Sequence, residues 1–158
     1  MQVLEKYDVD DIDTAIVRQL AVNGRISLND LSDAVGLSPT PTSRRIRQLE
    51  AEGIITGYHA KLDETALGFP VSVFVSVRLD KQVDEALAVF EDAIKRFPEV
   101  VDCWLMTGNR DYLMRVATRD LADFERFLTQ RLTRIKGVAA IESSIPLRRV
   151  KAMPARIP

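Results

Sequence analysis

The hydrophobic pattern changes period along the chain, and the changes mark its parts. In the first third, apolar residues recur at helical spacing in short runs. Ile12, Ile16 and Leu20 lie four apart behind an acidic start, Asp8 to Asp13, that suits the positive end of a helix dipole. Gly24 closes that run. Leu28, Leu31 and Val35 form a second stripe, opened by the capping box Ser27-x-x-Asp30. After the turn Gly36-Leu37, Ser38 supplies an N-cap and Pro39 fits the first helical position of a third helix. Three helices, the last two joined by a short glycine turn, predict a helix-turn-helix over residues 1–56.

The third helix divides by side. At about 100° per residue, Thr42, Ile46, Leu49 and Gly53 share one stripe. Thr40, Arg44, Arg47 and Gln48 share the opposite one, and no acid intervenes before Glu50. A plain solvated arginine face is the competing reading. The turn placement, the helix start and the acid-free stripe favour DNA. The candidate DNA-binding residues are Thr40, Thr42, Ser43, Arg44, Arg45, Arg47 and Gln48. The arginines suit phosphates or guanine edges, and Thr40, Ser43 and Gln48 suit local base edges.

From Gly53 to Leu62, β-branched and aromatic residues between glycines predict a linking strand or hairpin, with Gly68-Phe69-Pro70 closing a linker over 57–70. His59 is the sole histidine, has no ligand cluster around it, and is assigned no chemistry. Strict alternation then begins. Val71, Val73, Val75, Val77 and Leu79 alternate with Ser72, Phe74, Ser76 and Arg78, the period of a strand with one buried face. Helical spacing follows from Val83 to Phe97, ended by Pro98, then a strand from Val100 to Met106. Gly108-Asn109 turns the chain into a third strand, Tyr112 to Thr118. Asp120 caps a second helix running through Ile135 to Gly137, and Val138 to Val150 is the last strand. The order βαββαβ over 71–158 predicts an α+β, ferredoxin-like sandwich with two helices on one face of an antiparallel sheet. Its other face carries Phe74 and Trp104, which a partner should cover.

Composition narrows the function classes. With 46% hydrophobic and 28% charged residues the chain can build packed cores. A single cysteine, Cys103, excludes an intrachain disulfide or a multi-thiolate zinc site and suits the cytosol. No run of about 18 apolar residues and no signal-peptide pattern appears. A net charge of −1 argues against a non-specific nucleic-acid coat, so DNA contact must come from a local patch such as the arginines at 44, 45 and 47. No paired carboxylates, serine-histidine-acid set or phosphate loop appears, which argues against an enzyme and against a bound cofactor.

The loop Thr107-Gly108-Asn109-Arg110-Asp111-Tyr112 is the candidate small-molecule site. A free amino acid needs an acceptor for its ammonium, N–H donors for its carboxylate and a wall for its side chain. Asp111, the backbone at Gly108 and Tyr112 suit those roles. Gly-Asn is equally ordinary hairpin chemistry, and that alternative stands at this level.

The chain resembles the Lrp/AsnC, or feast/famine, family of transcriptional regulators. The resemblance rests on Asp10-Asp11-Ile12-Asp13 with Gly24-Arg25-Ile26-Ser27, and on Leu31-Ser32 with Val35 through Pro41. It continues through Arg45 to Tyr58 and ends in Pro98 to Cys103 with Thr107 to Leu113. These segments keep the family's order over nearly the whole chain. The resemblance implies a DNA-reading segment from Asn29 to Gln48 and a C-terminal RAM domain. It implies homodimers that pair through their sheets and assemble further to octamers or similar rings. It also implies an amino-acid effector held by Gly108, Asn109, Asp111, Tyr112 and, on the last strand, Ser144. Members act on double-stranded promoter DNA in the cytoplasm, associated with the nucleoid, without a membrane partner. One departure is Asn109, where the family commonly has an acidic residue. Two alternatives remain: an architectural DNA-binding protein that ignores effectors, and a metabolic regulatory subunit built on the sandwich alone.

Overall fold

A computed structural model of the chain describes residues 8–152 and 155–158. They form two compact units, one ending at Lys61 and also holding the residues from Lys151 onward, the other spanning Leu62–Val150.

The first unit is built from α1 (Asp11–Val22), α2 (Leu28–Val35) and α3 (Pro39–Ala51). Each start has a local cause. The Asp10 carboxylate accepts from the Asp13 N–H at 2.8 Å, satisfying an orphan donor of the first turn. Ser27 Oγ accepts from the Asp30 N–H, the first half of the anticipated capping box, and donates to the Asp30 carboxylate. Ser38 is the N-cap residue of α3, although its side chain makes no capping bond, and Pro39 opens the helix. Between α2 and α3, Gly36 sits at φ +70°, left-handed backbone that glycine adopts without a Cβ penalty. Ile16, Leu31 and Leu49, one from each helix, are buried together, with Ile12, Leu20, Val35 and Ile46 packed around them.

The expected strand or hairpin over 53–62 is absent. Ile54 and Ile55 instead donate their N–H groups to the Leu49 carbonyl at 2.9 and 3.0 Å, closing α3, and the segment from Thr56 to Asp63 has no regular structure. Tyr58 leans back on α3, its hydroxyl donating to Glu50 at 2.9 Å. The β-branched and aromatic residues therefore serve a helix end and its packing.

The second unit is the split βαβ sandwich. Its strands β1 (Val71–Leu79), β2 (Val100–Leu105), β3 (Tyr112–Thr118) and β4 (Val138–Ser144) lie in the order β2-β3-β1-β4, all pairs antiparallel. Helices α4 (Asp84–Ile94) and α5 (Leu121–Gln130) join β1 to β2 and β3 to β4. Val73, Val75, Val77, Tyr112, Met114 and Val116 pack from the sheet against Phe90, Ile94, Phe124, Phe127 and Leu132. Two elements are shorter than their patterns suggest. The second helix breaks at Arg131 into a 3-10 turn, Leu132–Arg134, which still seats Leu132 in the core. The last strand ends at Ser144, and Ile145 to Val150 is exposed irregular chain. The residues from Lys151 group with the first unit, where the Arg18 guanidinium donates to the Pro158 carbonyl.

Candidate DNA-binding helix and effector cleft

Helix α3 presents the face its periodicity implies. Thr40, Arg44, Arg47 and Gln48 are exposed, and Ser43 is half-buried beside them. Arg44 has no hydrogen-bond or ion-pair partner among the described residues, so its guanidinium is available to an anion. Arg47 makes only a marginal 3.5 Å contact to the Ser43 carbonyl.

Two candidates are corrected. Thr42 is fully buried, and its hydroxyl donates to the Ser38 carbonyl one turn back. It belongs to the inward stripe on which its own spacing puts it. Arg45 is turned towards α1, donating to Asp13 at 2.8 Å and to Asp10 at 2.7 Å. The Asp13 side chain is fully buried and that of Arg45 only a quarter exposed. The capping bond from the Asp13 N–H and the guanidinium together hold the Asp10 carboxyl below its ordinary range, and the same carboxylates hold Arg45 firmly protonated. Arg45 thus ties α3 to the start of α1.

The hairpin between β2 and β3 carries the second site. Gly108 takes φ +106°, which a side chain would strain, and lets the chain reverse. Asp111 is buried, with both carboxylate oxygens occupied. One accepts from the Leu79 N–H and the other from the Gln82 amide, each at 2.6 Å. Tyr112 is buried against the Phe90 ring, centroids 4.4 Å apart, and its hydroxyl donates to Glu91 at 2.9 Å. Burial first, then Glu91, pushes its phenol well up from the ordinary value. These two residues therefore do not face a ligand within the subunit. They fix the loop to the end of β1 and to α4, which corrects their assigned roles as ammonium acceptor and pocket wall.

What faces solvent at the loop is different. Asn109 and Arg110 border a cleft of about 300 Å³ whose other walls are Arg78 on β1 and Ala140, Ile141 and Glu142 on β4. Arg110 and Glu142 form an ion pair across it. Arg78 lies level with Ala140 in the register and has no partner among the described residues. Ser144 is exposed and lies two residues beyond Glu142 on the same face of β4, about 7 Å at the rise of a strand, and does not border the cleft. Sequence reasoning missed Arg78, Arg110 and Glu142. The available signal was the outward position of Arg78 at the end of β1, but the register joining it to β4 is not local information.

Comparison with known proteins now adds to this geometry. The Lrp/AsnC ligand binding domain model matches residues 72–155, and a winged helix-turn-helix DNA-binding model matches 9–56. The chain belongs to the Lrp/AsnC family. A relative from Pseudomonas aeruginosa, the Bkd operon transcriptional regulator, is 51% identical over 143 residues, covering 90% of this chain and 94% of its own. A Neisseria meningitidis transcriptional regulator solved with L-methionine superposes with a TM-score of 0.88 at 32% identity, covering 93% and 95% of the two chains. A feast or famine regulatory protein from Mycobacterium tuberculosis, also in complex with L-methionine, gives a TM-score of 0.81 at 32% identity, covering 96% and 100%. As an Lrp/AsnC protein, the chain joins a DNA-binding helix-turn-helix to a ligand-binding domain, the constitution of a transcriptional regulator and not of an enzyme. Among the described residues no helix is long and apolar enough to cross a membrane.

Proposed function

We propose that this Lrp/AsnC protein is a sequence-specific regulator of amino-acid metabolism genes, reading promoter DNA with α3 and responding to an amino acid at the β2–β3 hairpin. The observation that carries the DNA half is the exposed stripe Thr40, Arg44, Arg47 and Gln48 on a helix rigidly seated by Arg45. Arg44 and Arg47 anchor phosphates or guanine edges, while Thr40, Ser43 and Gln48 meet bases nearby. A homodimer places two such helices on successive major grooves, so half-sites lie about 10 to 10.5 base pairs apart or at a multiple of that.

The outer sheet face supports the dimer. Phe74, Leu113 and Trp104 share that face by register, and Trp104 is 46% exposed. Covering such a patch with a second copy is the direct solution, and pairs then assemble to an octamer or a similar ring. The effector half is supported by the cleft beside Asn109 and by the two relatives solved with L-methionine. An effector that binds one assembly better shifts the population towards it and so changes the spacing of the helices on DNA. The protein works in the cytoplasm, at the nucleoid.

The test is fluorescence anisotropy of a labelled DNA site, titrated with protein with and without each amino acid. A Kd that changes for one amino acid and not for others supports regulation. Equal affinity for unrelated DNA of the same length, unmoved by every amino acid, supports an architectural protein instead.

A further inference from the structure

We infer that the segment Arg148–Lys151 is a second DNA-binding element, a basic arm that lies along the phosphate backbone beside the site read by α3. The inference rests on the DNA reading above and adds a contact outside the helix-turn-helix. Arg148, Arg149 and Lys151 put three cations within four residues, and Arg156 follows. The sequence carries no acid after Glu142. All four side chains are exposed and have no hydrogen-bond or ion-pair partner among the described residues. By contrast, Arg45, Arg115, Arg119 and Arg131 each hold a carboxylate.

The arm has no regular structure, and Leu147 and Val150 beside its arginines are 100% and 88% exposed. The chain leaves β4 at Ser144 and joins the first unit at Lys151. There Ile157 is half-buried and Arg18 of α1 donates to the Pro158 carbonyl. The arm is thus tethered to the unit that carries α3 while its cations stay free. Free cations are scarce in that unit. Over residues 1–62 acids outnumber Lys and Arg nine to seven. With Arg45 turned to Asp10 and Asp13, α3 offers Arg44 and Arg47. A duplex presents about one charge per 1.7 Å of its axis, so three cations along about 10 Å of extended chain can each meet a phosphate. Such contacts read no base; they add affinity and hold the protein in register on the duplex.

The experiment uses the full-length protein and labelled DNA carrying a site recovered by selection from random duplexes. Arg148→Gln, Arg149→Gln and Lys151→Gln together should weaken binding at least about tenfold at about 0.1 M salt. The slope of log affinity against log salt should fall by at least about 1.8, one phosphate contact from each subunit of a dimer. The preferred sequence should stay the same, because phosphate contacts carry no base information. Contact itself is read by photocross-linking with benzoylphenylalanine in place of Leu147, which should join to DNA. The same group in place of Val89, exposed on α4, should not. An unchanged slope in the triple variant, or equal cross-linking from both positions, overturns the arm and leaves reading by α3 intact. A changed sedimentation coefficient without a DNA cross-link assigns the segment to contacts between copies and overturns it as well. No binding of any DNA by the unaltered protein overturns both. The cross-link removes no cation, so a triple variant that fails to fold does not blunt the test.

Discussion

Replacing Arg45 with alanine separates the structural arginine of α3 from the DNA-facing ones. The side chain donates to buried Asp13 at 2.8 Å and to half-exposed Asp10 at 2.7 Å. A hydrogen bond to a charged, buried carboxylate contributes about 1.5–3 kcal/mol. The exposed Asp10 pair adds at most about 1 kcal/mol. The first unit should therefore lose about 2–3 kcal/mol. At a urea dependence of about 1–1.5 kcal/mol per molar for a small unit, its midpoint falls by about 2 M. Two probes separate the units. Helical ellipticity is weighted towards α1–α3, which hold most of the helical residues, while Trp104, the single tryptophan, reports the sheet. In Arg45→Ala the ellipticity transition should move down and Trp104 fluorescence should stay. Arg44→Ala, which removes an exposed side chain without a partner, should shift neither by more than about 0.5 kcal/mol. Equal midpoints for the two variants would refute the tie between α1 and α3.

Further expectations follow from the same contacts. Asp10 has its carboxyl lowered from 3.8, so its contribution is present above about pH 4 and is lost as the pH falls through the lowered value. Acid titration of ellipticity should accordingly be shallower below about pH 4 in Asp10→Asn than in the unaltered protein. Arg47→Ala should weaken DNA binding and reduce the slope of log affinity against log salt by about 1.8, one phosphate contact from each helix of the dimer, read by anisotropy across a salt series. Asp111→Asn keeps one acceptor oxygen and sets an amide NH2 against one of the two donors, the Leu79 N–H or the Gln82 amide. That change should cost about 2–4 kcal/mol in the second unit, seen as an earlier Trp104 transition with α1–α3 unaffected.

Much of this architecture was legible because it is periodic. The alternation from Val71 to Leu79 gave β1 its observed bounds, and the capping box at Ser27 marked the start of α2. The exposed stripe of α3 emerged from helical spacing alone. What sequence could not show was which distant group a side chain would meet. A helical wheel gives the direction of Arg45 but not the acids at the start of α1 that await it. The turn signal at Gly108-Asn109 gives the hairpin but not the burial of Asp111, which depends on an N–H at the far end of β1. Likewise the strand-like composition from Gly53 to Leu62 lost to the tertiary demand for residues that close α3. Arg78 and Glu142 come to border one cleft only through the β1–β4 register, fixed once both strands bury their alternate residues.

The central claim is that α3 reads specific DNA, and selection from a random pool of double-stranded oligonucleotides tests it most directly. Sequencing the fragments retained by the full-length protein should return two related half-sites spaced by about 10 to 10.5 base pairs or a multiple. The same selection with Arg44→Ala and Arg47→Ala together should return no enriched motif. Recovery of an unenriched pool by the unaltered protein, or of the same motif by the double variant, would contradict the account.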